Sequence, residues 1–124
     1  MNMNDTASIT VSDKYKIHTI KEKFNIIFPY LRIELFSSST NSSSFSEKNS
    51  DLEKFRLRGN TDTIIISPKM TVSDLEMHFK NIYGLMAQVY RKSGKIWLET
   101  TVTDSWTLEE QNKQGESLSK NSPH

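Results

Sequence analysis

Apolar residues recur along this chain in two rhythms, one of two residues and one of three to four. Ile9 and Val11 alternate with polar neighbours, and Ile64-Ile65-Ile66 is a β-branched run. Both patterns predict short strands, over 9–12 and 64–67. Ile17, Ile20, Phe24 and Ile27 then follow at steps of 3, 4 and 3, and Val72, Leu75, Phe79 and Ile82 repeat those steps. Each set is one face of a helix. Thr71 with Asp74 is a helix start and Gly84 a C-terminal stop, while Pro29 bars continuation of the first helix. Leu31, Ile33 and Leu35 alternate with Arg32 and Glu34, and Leu85, Ala87 and Val89 alternate with Met86, Gln88 and Tyr90. These are amphipathic strands. After a turn at Arg91–Lys95, Ile96 and Leu98 alternate with Trp97 and Glu99 in a fifth strand hairpinned to the fourth, Ile96 and Leu98 pointing inward. Thr107 with Glu110 opens a short polar helix near Trp106.

The two halves match one another. At an offset of 55, Ile9-Thr10-Val11-Ser12 falls on Ile64-Ile65-Ile66-Ser67, and the helix stripes coincide without a gap. After one extra residue, Tyr30, the strands from Leu31 and Leu85 coincide as well. The order strand–helix–strand, long loop, strand–helix–strand predicts an α+β, ferredoxin-like split β-α-β fold. Two βαβ units share a four-stranded antiparallel sheet with both helices on one face, and the added hairpin strand and short helix follow. The expected body is one domain over 8–112. It is interrupted by a Ser-rich loop over 37–50, where 8 of 14 residues are serine and only Phe45 is large and apolar, too little to offset ordering entropy. Ser50-Asp51-Leu52-Glu53 fits a capping box ahead of a short helix pinned by Leu52, Phe55 and Leu57. Residues 1–7 and 115–124 read as disordered tails.

Composition narrows the function classes. Apolar residues are 35% of the 124, and a net charge of +1 argues against a general nucleic-acid binder or a membrane-surface protein. The strands at 9–12 and 64–67 also lack the aromatics that an RNA-binding sheet carries there. The chain has no Cys, hence no thiol nucleophile or Cys-bound zinc. No apolar run is long enough to span a membrane, and Met1–Val11 lacks a basic-then-apolar leader, so a cytoplasmic protein is expected.

The segments FPYLRIELF (Phe28–Phe36) and VYRKSGKIWLETTVTDSWTLEEQN (Val89–Asn112) resemble an uncharacterised family of small bacterial proteins, best represented in Bacteroidetes. The similarity covers most of the chain outside the Ser-rich loop and the tail. It implies a bacterial cytoplasmic protein and brings no catalytic residues with it.

Candidate chemistry is sparse. His18 has Glu22 at i+4 and His78 has Asp74 at i−4, spacing that suits a metal but more often marks a helix ion pair. His124 lies in the tail. No phosphate-loop, dinucleotide or hydrolase motif occurs, and no catalytic residue, metal or cofactor is expected. Arg91-Lys92-Ser93-Gly94-Lys95 is a candidate anion-binding turn, or simply a solvated hairpin tip. Two-residue periodicity leaves Thr10, Arg32, Glu34, Ile65, Met86, Gln88 and Tyr90 on the open face of the sheet, joined by Trp97 and Glu99. Of these, Arg32, Glu34, Met86, Gln88, Tyr90, Trp97 and Glu99 form the candidate interaction face, a mixture of aromatic, Met and charged side chains typical of an interface centre. Either a monomer element covers that face or a partner does. The expected function is a non-enzymatic protein–protein interaction or self-association module, a homodimer included. A small-molecule or anion-binding regulatory domain is the alternative, and a small enzyme the third.

Overall fold

The computed structural model describes residues 7–37 and 49–120. The described elements run β1 (Ile9–Thr10), α1 (Ile17–Ile27), β2 (Leu31–Ser37), a 3₁₀ helix (Leu52–Phe55), β3 (Ile65–Ile66), α2 (Val72–Tyr83), β4 (Leu85–Ser93), β5 (Ile96–Glu99) and α3 (Leu108–Lys120). The fold is α+β, in the element order that the periodicities predict. Most of the expected Ser-rich loop, at 38–48, lies outside the described residues, as do 1–6 and 121–124 of the expected tails.

The strands form two antiparallel sheets, β1–β3 and β2–β4–β5, and neither closes. One continuous four-stranded sheet, as the split arrangement requires, does not form. That arrangement keeps β1 and β3 between β2 and β4. Here β2 and β4 pair directly, from Leu31↔Arg91 to Ser37↔Leu85. The reason lies in strand length. β1 and β3 are two residues each and satisfy one another, with the Val11 N–H adding a 2.9 Å bond to the Ile64 carbonyl. β2 and β4 have 7 and 9 residues, and only another long strand satisfies so many backbone groups. Both ladders are centred on residues that match between the two halves of the sequence: Thr10 faces Ile65 and Glu34 faces Gln88.

The core fills the space between the inner faces of the sheets and the helices. Ile17, Ile20 and Phe24 of α1 and Val72, Leu75, Phe79 and Ile82 of α2 are at most 2% exposed, beside Leu31, Ile33, Leu35, Leu85 and Val89 from the long ladder. Ile27 is only partly buried, and Phe28 enters the core beside Phe24, their ring centroids 5.1 Å apart. Gly84 ends α2 in the left-handed conformation at φ 63°, where a Cβ would be strained.

Helix starts are completed by tertiary contacts. Thr71 and Thr107 form an isolated bridge, and each caps its own helix. Thr71 Oγ1 accepts from the Asp74 N–H, and Thr107 Oγ1 accepts from the Glu110 N–H while Glu110 Oε1 takes the Thr107 N–H. The remaining free donors cross over. Val72 and Ser73 N–H reach the Trp106 and Asp104 carbonyls, and Leu108 and Glu109 N–H reach those of Met70 and Pro68. The N–H groups of Val72, Ser73 and Asp74 at the start of α2, and of Thr107 through Glu110 at the start of α3, are thus accounted for. The 3₁₀ helix is held in the same way: Lys16 bridges Asp51, and Leu52 and Glu53 N–H reach the Tyr15 and Asp13 carbonyls. Asp51 rather than Ser50 stands at its N-cap, with no side-chain cap bond. Of its expected pins, Leu52 is buried, Phe55 partly so, and Leu57 stays exposed against Gly84.

Two expectations near the C-terminus are overturned. Residues 115–120 are not a frayed tail but the last turns of α3, so the ordered body continues past 112. The inward stripe of α3 is Leu108, Gln111 and Gly115, and only the first of these is a large apolar residue. Gln111 Nε2 donates to the Thr103 carbonyl and Oγ1, both at 2.8 Å, and its Oε1 accepts from Arg91 Nη1. Gly115 lets α3 approach so closely that a Cβ there would lie 2.8 Å from Tyr30 Cβ. In β5, Ile96 and Leu98 do share the face of Val89 and Arg91 by register, yet they are 58% and 38% exposed. β5 projects beyond the cover of α3, which meets the sheet at Arg91, so the expected inward packing of this pair fails.

Phe24→Ala and Phe79→Ala should each lower unfolding free energy by about 3–5 kcal/mol, because both rings are fully enclosed. Gly115→Ala should destabilise by roughly 1–3 kcal/mol through overpacking against Tyr30, although alanine favours a helix. Urea denaturation checks all three, and a stabilised Gly115→Ala variant would show that α3 does not seat this closely.

Candidate functional site

The β2–β4–β5 register decides which side chains share a face. Directly paired residues lie on the same side, so Arg32↔Tyr90, Glu34↔Gln88, Phe36↔Met86, Lys92↔Trp97 and Tyr90↔Glu99 point one way. Seven of the nine residues expected on the open face are therefore brought together: Arg32, Glu34, Met86, Gln88, Tyr90, Trp97 and Glu99. The other two, Thr10 and Ile65, pair with one another in the separate β1–β3 sheet. No described helix lies over the face on β2–β4–β5. α3 reaches the sheet from the other side through Arg91, and α1 borders the face along β2, where Lys21 Nζ meets Glu34 Oε1 at 2.9 Å and Lys21, Glu22 and Asn25 line a cleft with Arg32 and Trp97. Sequence reasoning missed Lys21, Phe36 and Lys92. The two-residue period from Arg32 and from Tyr90 signals the last two, whereas Lys21 arrives from a separate helix.

Charge and aromatic surface are interleaved on this face. The Trp97 ring lies between two cations, with Arg32 Cζ 5.3 Å and Lys92 Nζ 5.9 Å from its centroid. Glu34 binds Lys21 and, at 3.3 Å, Arg32. The indole thus folds back across β4 toward β2, held by cation–π attraction. Met86 at the opposite end is 60% exposed.

The expected anion-binding turn is not assembled. Arg91 points under α3, its guanidinium bonded to Gln111 and 5.7 Å from the Trp106 ring centroid. Lys92 lies against Trp97 on the opposite face, and the Gly94 N–H is 3.3 Å from Ser119 Oγ. Ser93 pairs with Ile96 across the hairpin, which leaves Lys95 exposed at the tip. His18 meets Glu22 at 3.5 Å as an exposed helix pair. Among the described residues no group of three or more His, Cys, Asp or Glu is placed to hold a metal ion, and no helix is long and apolar enough to cross a membrane. His124 lies outside the described residues.

Three ionisable groups with shifted titration, Asp13, Arg56 and Tyr83, form a cluster that sequence reasoning did not single out. Arg56 grips Asp13 with two parallel bonds, Nε–Oδ2 at 2.9 Å and Nη2–Oδ1 at 2.8 Å, and Tyr83 OH donates to Asp13 Oδ1 at 2.6 Å. Arg56 Nη1 also reaches the Asn60 and Asp62 carbonyls. The Arg56 and Tyr83 bonds hold the Asp13 carboxyl below the usual carboxylate range. Burial, then the Asp13 bond, pushes the Tyr83 hydroxyl up to about 12. Perturbed groups can mark a catalytic site, but here each partner's capacity is used by the others. The cluster fastens the turn after β1, the chain after the 3₁₀ helix and the end of α2. A separate cleft of about 380 Å³ between the end of α1 and α3 includes Phe28, Tyr30 and Glu109 in its lining. Glu109 is already paired with Lys69 and Lys113.

Comparison of the chain with protein families, curated proteins and solved structures finds no match.

Asp13→Asn should cost about 1–3 kcal/mol at pH 7, since bonds to a charged partner are lost. Because the folded carboxyl titrates below its unfolded value, its contribution is complete above about pH 4 and is lost as pH falls through the depressed value. The difference between wild type and Asp13→Asn in denaturant unfolding should therefore narrow below about pH 4. A gap that stays constant down to pH 2 would mean that Asp13 is not held ionised by the clamp.

Proposed function

We propose that the protein is a non-enzymatic interaction module that uses the open face of the β2–β4–β5 sheet for protein–protein contact, including contact with a second copy of itself. The observation that carries this reading is the uncovered face itself. Trp97, Tyr90, Phe36 and Met86 lie among Arg32, Glu34, Lys92 and Glu99 on one side of a sheet that no described helix covers. Aromatic, Met and Arg side chains at the centre with charge around them match the composition of binding surfaces. The reading takes the chain as a cytoplasmic protein of the small bacterial family that its segments resemble.

The same reading treats the chain as an internal repeat of the split β-α-β kind, with its sheet opened between the two pairs of equivalent strands. Three hydrogen-bonding patterns support it. The ladders are centred on matched residues, Thr10 with Ile65 and Glu34 with Gln88. The bridge Lys16↔Asp51 corresponds to Thr71↔Thr107. The bonds from Leu52 and Glu53 to Tyr15 and Asp13 correspond to those from Leu108 and Glu109 to Met70 and Pro68. Each of Lys16, Tyr15 and Asp13 precedes its counterpart by 55 residues, the offset found along the sequence.

Trp97→Ala should weaken association by about 2 kcal/mol or more while the monomer stays folded. Sedimentation equilibrium beside far-ultraviolet circular dichroism checks this. Loss of folding with unchanged association would make Trp97 a residue of the fold alone and remove the interaction face.

A further inference from the structure

The sheet has two edges, and they differ. On β2, the Lys92 N–H bond to the Tyr30 carbonyl sets the alternation, so Arg32, Glu34 and Phe36 direct their backbone groups to β4 and Leu31, Ile33 and Leu35 direct theirs outward. α1 obstructs that edge, because Asn25 Nδ2 takes the Leu31 carbonyl at 2.8 Å. On β5, the Thr100 N–H bond to the Val89 carbonyl fixes the opposite parity. Leu98 and Ile96 bond to β4, and Trp97, with Lys95 and Glu99 on either side, turns its N–H and C=O away from the sheet. Among the described residues no backbone group meets them there. An exposed strand edge with apolar side chains beside it is a template for pairing.

We propose that this edge pairs with the same edge of a second copy, antiparallel and centred on Trp97. Resting on the reading of the protein as an association module, the proposal names its partner and the strand that joins them. The segment Lys95-Ile96-Trp97-Leu98-Glu99 is complementary to itself when reversed. Residue i of β5 then faces residue 194 − i of the other copy, so Ile96 faces Leu98 and Trp97 faces Trp97, and Lys95, the turn residue just before β5, is brought beside Glu99. Opposite charges meet twice. The backbone groups meeting at Trp97 are those that point outward, which is what a hydrogen-bonded antiparallel pair needs. Ile96 and Leu98, left exposed by the monomer, come to lie beside Leu98 and Ile96 of the second copy. A two-fold axis perpendicular to the sheet keeps paired residues on one side. The two open faces therefore become one continuous face across six strands.

Charge swapping tests the register. Lys95 and Glu99 are both exposed, so reversing them leaves the core untouched. Wild type should show a concentration-dependent monomer–dimer equilibrium by sedimentation. Lys95→Glu and Glu99→Lys should each weaken it about tenfold, by setting like charges opposite one another twice per dimer, and the double swap should restore it. A carbodiimide cross-link between Lys95 and Glu99 gives the same answer without substitution. Within one chain the two stand at opposite ends of β5, Lys95 in the turn before it and Glu99 in its last position, so in a mixture of ¹⁴N- and ¹⁵N-labelled protein this link should be found in mixed pairs. A wild type that stays monomeric at millimolar concentration overturns the proposal and leaves the open face to a different protein. A dimer indifferent to both single reversals, or a double swap that fails to restore it, overturns this edge while leaving association through the open face intact. Should a reversal lose the folded spectrum, the cross-link decides, and its absence from mixed pairs overturns the proposal.

Discussion

The ladder between β2 and β4 is the constraint on which the rest depends. Two strands distant in sequence, one from each half of the chain, run antiparallel from Leu31↔Arg91 to Ser37↔Leu85. A slip of one residue would invert every side chain on the slipped strand. In this register Leu31, Ile33, Leu35, Leu85 and Val89 all enter the core, and Arg32, Glu34, Gln88 and Tyr90 all leave it. The same parity runs on into β5 and decides both which face carries Trp97 and which backbone groups remain at the outer edge. Core, open face and free edge are three consequences of one alignment.

Around that ladder the molecule is fastened by polar groups at points where apolar stripes run out. α3 has little hydrophobic surface, yet it seats on β4 through the chain Arg91–Gln111–Thr103, through the cation–π contact of Arg91 with Trp106, and through the close approach that Gly115 permits. At the other end, Asp13, Arg56 and Tyr83 tie together three segments that share no periodic pattern. Such buried or half-buried networks fix geometry strongly when every member is satisfied. Both networks come close: Arg91 Nε is the lone buried side-chain polar atom without a partner among the described residues. Their cost and their benefit both lie in specificity of position, which is why the expected short helix and frayed tail became one thirteen-residue helix.

Local pattern was sufficient for the elements and tertiary context for their arrangement. The sequence by itself determined the two helix stripes, the alternating strands at Leu31 and Leu85, the caps at Thr71, Thr107 and Gly84, and the shared side of Arg32 with Glu34, of Met86 with Gln88 and Tyr90, and of Trp97 with Glu99. Each of these is a short-range property: the period of a helix or strand, or one side chain reaching a backbone group three residues on. Only the tertiary structure decided that β2 pairs with β4, because pairing compares the lengths and satisfied groups of strands that are far apart in sequence. It also decided the seat of α3, whose inward residues are a Gln and a Gly with no hydrophobic signal, and the Asp13–Arg56–Tyr83 clamp, whose members stand 43 and 70 residues apart. Ile96 and Leu98 mark the boundary between the two kinds of information. Alternation correctly placed them on the inner face, but burial depends on how far a neighbouring helix extends, and α3 does not extend over them.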